Sequence, residues 1–403
     1  MEASLEQDEH FQDNKSICIL PWIHQYGDLS GEYGLCCFTL NSRNSLFGKG
    51  LSPSEAFNSQ FIKDARLKML VNKPVPACSV CYNWESNGIE SHRQRMNKKY
   101  SAYNELLTKT NSDGSVNNPP IYLDFRFGNL CNFKCRMCGS YSSSSWSKED
   151  KYFNLLKKDE PNHYDHWTNN DNFWKDIDDI KKYVRALYFA GGEPFVQEGH
   201  YKMLQKMIDS GCSKNIDLSY NTNLSYNGSF KGYDIENLWS YFKSVDLWPS
   251  IEGYGDQAEY GRKGLDLELF KHNSIKFSDY IVTYSIVSSI YSISTNLELI
   301  KWIKSIGKSF SITNLVSPEY QSTTVLSKKV KKELISRYKR ELKTLTLTKD
   351  EFENIFNSLK HMNSSDDSHL ASKFKSITTR HDLYRNESFE STFPEFAEWY
   401  RNI

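Results

Sequence analysis

From Ile121 onward, short runs rich in β-branched and aromatic residues alternate with longer stretches whose apolar positions recur every three or four residues. The short runs are IYLDFRF, VRALYFA, NIDLSYN, VDLWPSIE, YIVTYSIV and SFSITNLV, a composition and length that predict strands. Between them YKMLQKMIDSG, with Gly211 as a stop signal, and LELIKWIKSIG predict helices. Six strands alternating with helices predict a parallel α/β sheet, open or barrel-like. Beyond about Gln321 the pattern turns to charged amphipathic helix, as in SKKVKKELISRYKRELKTL, and no repeat of fixed period is visible. Upstream, AYNELLTKTNSDGSVNNPP is polar and ends in paired prolines, which reads as a linker. The expected divisions are a polar tail at 1–14, an N-terminal module at 15–100, a linker at 101–118, a core at 119–320 and a helical extension at 321–403.

The length of 403 residues excludes a single small stapled scaffold. Lys plus Arg and Asp plus Glu both total 50, so no global field draws a polyanion or a membrane surface, which argues against nucleic acid as the main partner. The opening MEASLEQDEHFQDNK has no apolar run for a signal peptide, and IVTYSIVSSIYSI is too short to span a bilayer. A soluble, cytoplasmic chain with no membrane partner is expected. In a reducing compartment nine cysteines, an odd number at short spacings, suit metal ligation better than disulfides.

Three of them fall within GNLCNFKCRMCGS: Cys131, Cys135 and Cys138. They follow the first expected core strand, and strand C-terminal ends carry the chemistry of parallel α/β folds. A structural zinc site takes four ligands in two short pairs and suits this spacing poorly. A 4Fe-4S cluster held by three thiolates leaves one iron open to an outside ligand. The run CNFKCRMC resembles the CxxxCxxC signature of the radical S-adenosylmethionine (radical SAM) enzymes. That resemblance implies a partial (β/α)6 TIM-like barrel, a 4Fe-4S cluster on the three cysteines, and SAM bound to the open iron through its amino and carboxylate groups. It further implies reductive cleavage of SAM to methionine and a 5'-deoxyadenosyl radical that abstracts hydrogen from substrate. Met137 stands where the family often has an aromatic residue, and its polarizable thioether also packs against a ring.

After the second core strand, YFAGGEPF places Gly191, Gly192, Glu193 and Pro194 at a strand end. This matches the family's GGEP segment, in which glycines admit close backbone approach and the carboxylate accepts from the SAM ammonium. Taken alone, GGEP reads first as an ordinary strand-to-helix turn, and it is its place one βα unit after the three-cysteine loop that favours the family reading. Further resemblances follow in order. Asn221 and Asn223 end the third strand, Ser250 and Glu252 end the fourth where the family contacts the SAM ribose, and Arg262 resembles an arginine on the SAM carboxylate. Ser288 and Ser289, ending the fifth, are assigned to the adenine side. Each alone reads as a turn residue or solvated charge; their order carries the resemblance.

Upstream lie Cys18, Cys36, Cys37, Cys78 and Cys81. A CxxC pair with two distant thiols is compatible with zinc, a disulfide or an iron-sulfur cluster, and spacing alone favours zinc. The arrangement of a Gly-containing hairpin ending in cysteine, a helix SEAFNSQFIKDARLKML and then CxxC resembles the SPASM and twitch modules of radical SAM enzymes. It implies an auxiliary 4Fe-4S cluster on Cys18, Cys36, Cys78 and Cys81, with Cys37 able to replace Cys36. A module that precedes the barrel matches the twitch domain-containing radical SAM proteins, and the resemblance covers roughly residues 15 to 320. Cys212, beside Gly211, reads as a small buried hydrophobe. His92, Arg93 and Arg95 read as a solvated basic helix or, in the sharper alternative, as a source of an arginine for a substrate carboxylate.

The expected function is that of a radical SAM oxidoreductase acting on a peptide or small molecule and fed by a reductant such as flavodoxin or ferredoxin. An RNA-modifying radical SAM enzyme is an alternative that the neutral charge disfavours. A non-catalytic zinc or iron-sulfur scaffold is another, disfavoured by GGEP. No catalytic acid or base stands out.

Overall fold

A computed structural model describes residues 14–41, 46–86, 88–157 and 166–403; apart from Asn14, the polar tail expected at 1–14 lies outside them. In chain order the strands are β1 (His24–Gly27), β2 (Tyr33–Gly34), β3 (Tyr122–Phe125), β4 (Lys134–Cys135), β5 (Ala186–Phe189), β6 (Asp217–Thr222), β7 (Ser244–Pro249), β8 (Arg262–Lys263), β9 (Tyr284–Ser288) and β10 (Phe310–Asn314). All six apolar runs of the expected core therefore form strands, as β3, β5, β6, β7, β9 and β10. Residues alternate between buried and half-buried along β6 and β9, the period-two signature of a strand packed on one face.

The main sheet runs in the order β2-β1-β3-β5-β6-β7. β1, β3 and β5 are parallel, with His24, Tyr122 and Ala186 in register, while β1 and β2 form an antiparallel hairpin. β9 and β10 pair in parallel, and isolated parallel bridges Leu247↔Ile281 and Ser250↔Ser285 connect β7 with β9. The fold is therefore α/β with a mixed sheet. β1 comes from the segment read as a separate module; four residues reading HQYG are too few and too polar to announce a core strand.

Contacts group the described residues into two units. One comprises the described residues of the stretches 1–129, 164–219 and 232–245, the other those of 130–163, 220–231 and 246–403. In the first, Ile17, Leu20, Trp22, Ile23, Phe57 and Met69 form an apolar cluster. The single helix expected over SEAFNSQFIKDARLKML forms as two, Pro53–Phe57 and Gln60–Leu70. The break at Asn58 frees its side chain to accept from Arg66 Nη1 at 2.8 Å and from the Val116 amide at 3.1 Å. Arg66, fully buried, also donates to the carbonyls of Pro21, Phe57 and Gly114. The polar stretch 101–118 is thus fastened down rather than loose: it carries a short helix Glu105–Thr108, buries Leu107 and Val116, and is tied by Asn118 to the Trp22 carbonyl.

The second unit ends in the expected helical extension, whose main helices are Lys328–Glu341, Lys349–Met362 and Ala371–Arg385. The buried aromatics Tyr291, Phe374, Phe389 and Phe393 pack together there. Among the described residues no helix is long and apolar enough to cross a membrane.

Candidate functional site

In the second unit the three-cysteine loop turns tightly around its own thiols. The Cys138 amide donates to the Cys135 carbonyl at 2.9 Å, and the Phe133 amide points at Cys131 Sγ at 3.4 Å. The serine run that follows anchors the loop: Ser143 Oγ donates to the Phe133 carbonyl and Ser145 Oγ to that of Cys131, at 2.5 and 2.6 Å. Trp146, buried, donates Nε1 to the Cys135 carbonyl at 3.0 Å. The Cys138 thiol hydrogen-bonds Cys135, which lowers the Cys135 pKa and raises that of Cys138 well above its ordinary value. Arg262 adds to the lowering at Cys135, because a nearby cation favours the thiolate, the form that ligates metal.

Arg262 reaches that position through a two-residue ladder, β4 against β8, which sets Cys135 opposite Arg262. Its Nη1 lies 3.8 Å from Cys135 Sγ. The same guanidinium grips Glu252 bidentately, Nη2 to Oε1 at 2.7 Å with Nε on Oε2, and both residues are buried. The two side chains that the resemblance assigned to different ends of SAM thus pair with each other. Asn223, just past β6, donates to Asn132 Oδ1 at 3.0 Å and lies 4.0 Å from Cys131 Sγ; Asn221 lies within the strand. Ser250 follows β7 and donates its amide to the Thr222 carbonyl at 2.8 Å. Ser288 ends β9 and, like Ser289, is fully buried. Asn223, Glu252 and Arg262, expected from separate strand ends, are therefore linked by side-chain contacts to the cysteine loop or to one another.

Motif spacing missed the support beneath this loop. Glu149, fully buried, is held by Arg385 Nε at 3.1 and 3.0 Å and by His381. Arg136 lies 3.6 Å from the Tyr260 ring centre and donates to Asp382 and Glu387 at 2.5 and 2.6 Å. No local pattern connects partners more than 200 residues apart.

In the first unit the GGEP turn takes the backbone shape its glycines permit. Gly191 and Gly192 have φ of +81° and +54°, and a Cβ on Gly191 would meet Leu29 Cδ2 at 2.8 Å. Glu193 is buried and caps the turn Pro194–Val196, accepting from the Phe195 amide at 3.2 Å. Gln197 Nε2 joins the carbonyls of Gly191 and Gly128 at 2.7 and 3.1 Å, so the glycine leading into the cysteine loop and the GGEP turn share one donor. Nearby in register, Tyr26, Asp124 and Tyr188 occupy one rung of β1, β3 and β5. Arg126 pairs with Asp124 at 3.0 Å and lies 4.9 Å from the Tyr188 ring centre. The charges inside IYLDFRF were the available sign of this polar rung.

The same unit gathers Cys18, Cys36, Cys78 and Cys81 around one cavity, with His92 and Arg93 also in its wall and Cys37 outside it. Burial pushes the Cys18 thiol up to about 12 and raises Cys36 well above its ordinary value. A thiol so buried ionises when a cation replaces its proton. Among the described residues no three His, Cys, Asp or Glu side chains close on a single-ion position. Arg93 is a buried bolt instead of a solvated charge, donating to Glu85 Oε1 and Oε2 at 2.9 and 2.5 Å and to the Ile17 carbonyl at 2.6 Å. Arg95 is exposed, and Cys212 is half-buried.

No family model matches the chain, and no curated protein matches it significantly. Solved structures of Streptococcus suis SuiB are similar at low identity. SuiB bound to the precursor peptide SuiA is 13% identical, with 70% of this chain and 63% of that one covered and a TM-score of 0.35. The S-adenosylmethionine-bound form is 13% identical over 78% and 67%, with a TM-score of 0.35. A further SuiB structure is 15% identical over 79% and 67%, with a TM-score of 0.36. This chain thus spans less than two thirds of the first of these structures, and scores at this level do not place it in a family.

Proposed function

We propose that the chain is a radical SAM enzyme that modifies a peptide or small molecule, with Cys131, Cys135 and Cys138 holding a 4Fe-4S cluster. The observation that carries this reading is the second unit's constellation: three thiols within eight residues, a hydrogen bond between two of them, and a buried arginine 3.8 Å from the sulfur of Cys135. An all-thiol donor set suits iron-sulfur ligation, and a fixed cation offsets the charge of a buried thiolate. A cluster held by Cys131, Cys135 and Cys138 would supply one-electron reduction of SAM, with the electron drawn from the external reductant, and so the radical chemistry by which hydrogen is removed from substrate.

The chain's own residues do the rest. Arg262 stays oriented toward Cys135 because Glu252 holds both arms of its fork. Gly191, Gly192, Glu193 and Pro194 are assigned to the amino end of SAM, and Asn223, Ser250 and Glu252 to its other polar groups. Arg262 is assigned to the SAM carboxylate as well as to Cys135. Cys18, Cys36, Cys78 and Cys81 are assigned to an auxiliary 4Fe-4S cluster. The reductant is of the flavodoxin or ferredoxin class, and the compartment is cytoplasmic.

The test is anaerobic reconstitution of the full chain with iron, sulfide and SAM. The wild type should form 5'-deoxyadenosine under a low-potential reductant, and Cys131→Ala/Cys135→Ala/Cys138→Ala should not. Equal 5'-deoxyadenosine formation in both, or stoichiometric zinc with none in either, overturns the proposal.

A further inference from the structure

The cysteine loop is held from behind by a helix 246 to 251 residues further along the chain. Helix Ala371–Arg385 buries His381, Asp382 and Arg385. Arg385 donates Nε to both Glu149 oxygens at 3.1 and 3.0 Å and Nη1 to the Lys134 carbonyl at 3.2 Å. Its guanidinium lies 4.5 Å from the ring centre of Trp146, the residue that hydrogen-bonds the Cys135 carbonyl. Lys134 Nζ reaches Glu149 as well, at 3.4 Å. On the far side of Cys135, Arg136 donates to Asp382 of the same helix at 2.5 Å. Both chain neighbours of Cys135 and its own carbonyl therefore trace back to one helix.

Such a network does two physical things. It fixes the direction of the Cys135 side chain, since the peptide on each side is anchored. It also places a charge that water cannot screen, because the Arg385 side chain is 1% exposed and that of Glu149 is wholly enclosed. Arg385 Nη2 is buried and has no hydrogen-bond partner among the described residues, so the guanidinium is not fully used by the contacts it makes.

We propose that Arg385 is a positioning residue for the three-cysteine loop and a fixed positive charge that raises the reduction potential of a cluster held there. This rests on the radical SAM reading. Adding an electron makes a cluster more negative, so a buried cation nearby favours the reduced state, and charge beyond the ligands is a recognised lever on potential. The helical extension thereby acquires a role in electron transfer as well as in packing.

The experiment is a redox titration of the reconstituted full-length chain followed by electron paramagnetic resonance. The loop cluster's signal is identified by its absence from Cys131→Ala/Cys135→Ala/Cys138→Ala, and iron content is measured in every sample. Arg385→Gln should move the midpoint to more negative potential, and Arg385→Lys should stay near the wild type. Glu149→Gln, which leaves the arginine uncompensated, should move it the opposite way. Opposite signs cannot come from general loosening, and Glu149→Gln supplies the answer if Arg385→Gln does not fold. A wild-type signal that neither Arg385→Gln nor Glu149→Gln shifts, or that both shift in one direction, overturns this inference alone. A wild type lacking the loop signal overturns the radical SAM reading and this inference with it.

Discussion

Glu252 and Arg262 show how much a single pair can matter when water is excluded. Both are buried and joined bidentately, so removing one partner strands the other's charge in a low-dielectric interior. Arg262→Met should cost about 3–5 kcal/mol of stability, whereas Glu252→Gln/Arg262→Gln, which removes both charges, should cost far less. Urea unfolding midpoints of the iron-free chains compare the two. Equal losses would mean the pair is better solvated than its burial indicates. The sequence offered both residues as separate cofactor contacts, and nothing in PSIEG or EYGRKG announces that the two meet. The placing of Arg262 against Cys135 depends in turn on β8 lying antiparallel to β4, a pairing of two-residue strands with no sequence signature.

At the scale of elements, the four N-terminal thiols come from three separate places: before β1, after β2, and the CxxC at the start of helix Ser79–Ser86. They share one cavity because the hairpin and the paired helices pack on one apolar cluster. Cys18→Ala/Cys36→Ala/Cys78→Ala/Cys81→Ala should lose the iron and sulfide of one cluster while still cleaving SAM, since none of these thiols belongs to the Cys131–Cys138 loop. Metal and sulfide analysis beside a 5'-deoxyadenosine assay reads both effects. Unchanged iron content would remove the auxiliary cluster from the proposal. CxxC and a hairpin-borne cysteine are local features, so the sequence made these candidates visible, and the structure adds that all four line one cavity. The stretch 101–118, read as a linker from its polarity, is hydrogen-bonded to Arg66, a partner too remote in the chain for local composition to announce.

For the whole molecule, buried ionisable groups set the response to acid. His200 is fully buried, its ring 4.6 Å from that of Phe189, and burial pulls its pKa down to about 3. Unfolding restores an ordinary value of about 6.5. The folded state therefore binds fewer protons than the unfolded one between these values. The stabilisation is fully present above about pH 6.5 and is lost as pH falls toward 3. His200→Gln should flatten this slope, so urea midpoints at pH 7 and pH 5 should differ less in the variant than in the wild type. An identical difference in both would show that other groups govern the acid response.

The sequence by itself determined the α/β alternation, the six core strands, the cysteine spacing and the GGEP turn. Each is written in neighbouring residues, through period-two burial, β-branched and aromatic content, or glycines that tolerate positive φ. Only the tertiary structure decided that β1 joins β3, that Arg262 faces Cys135 while gripped by Glu252, and that Arg385 stands behind the loop. These are meetings of residues distant in the chain, selected by the desolvation cost of leaving a buried charge or N–H without a partner. That cost is invisible until the chain folds and water is gone.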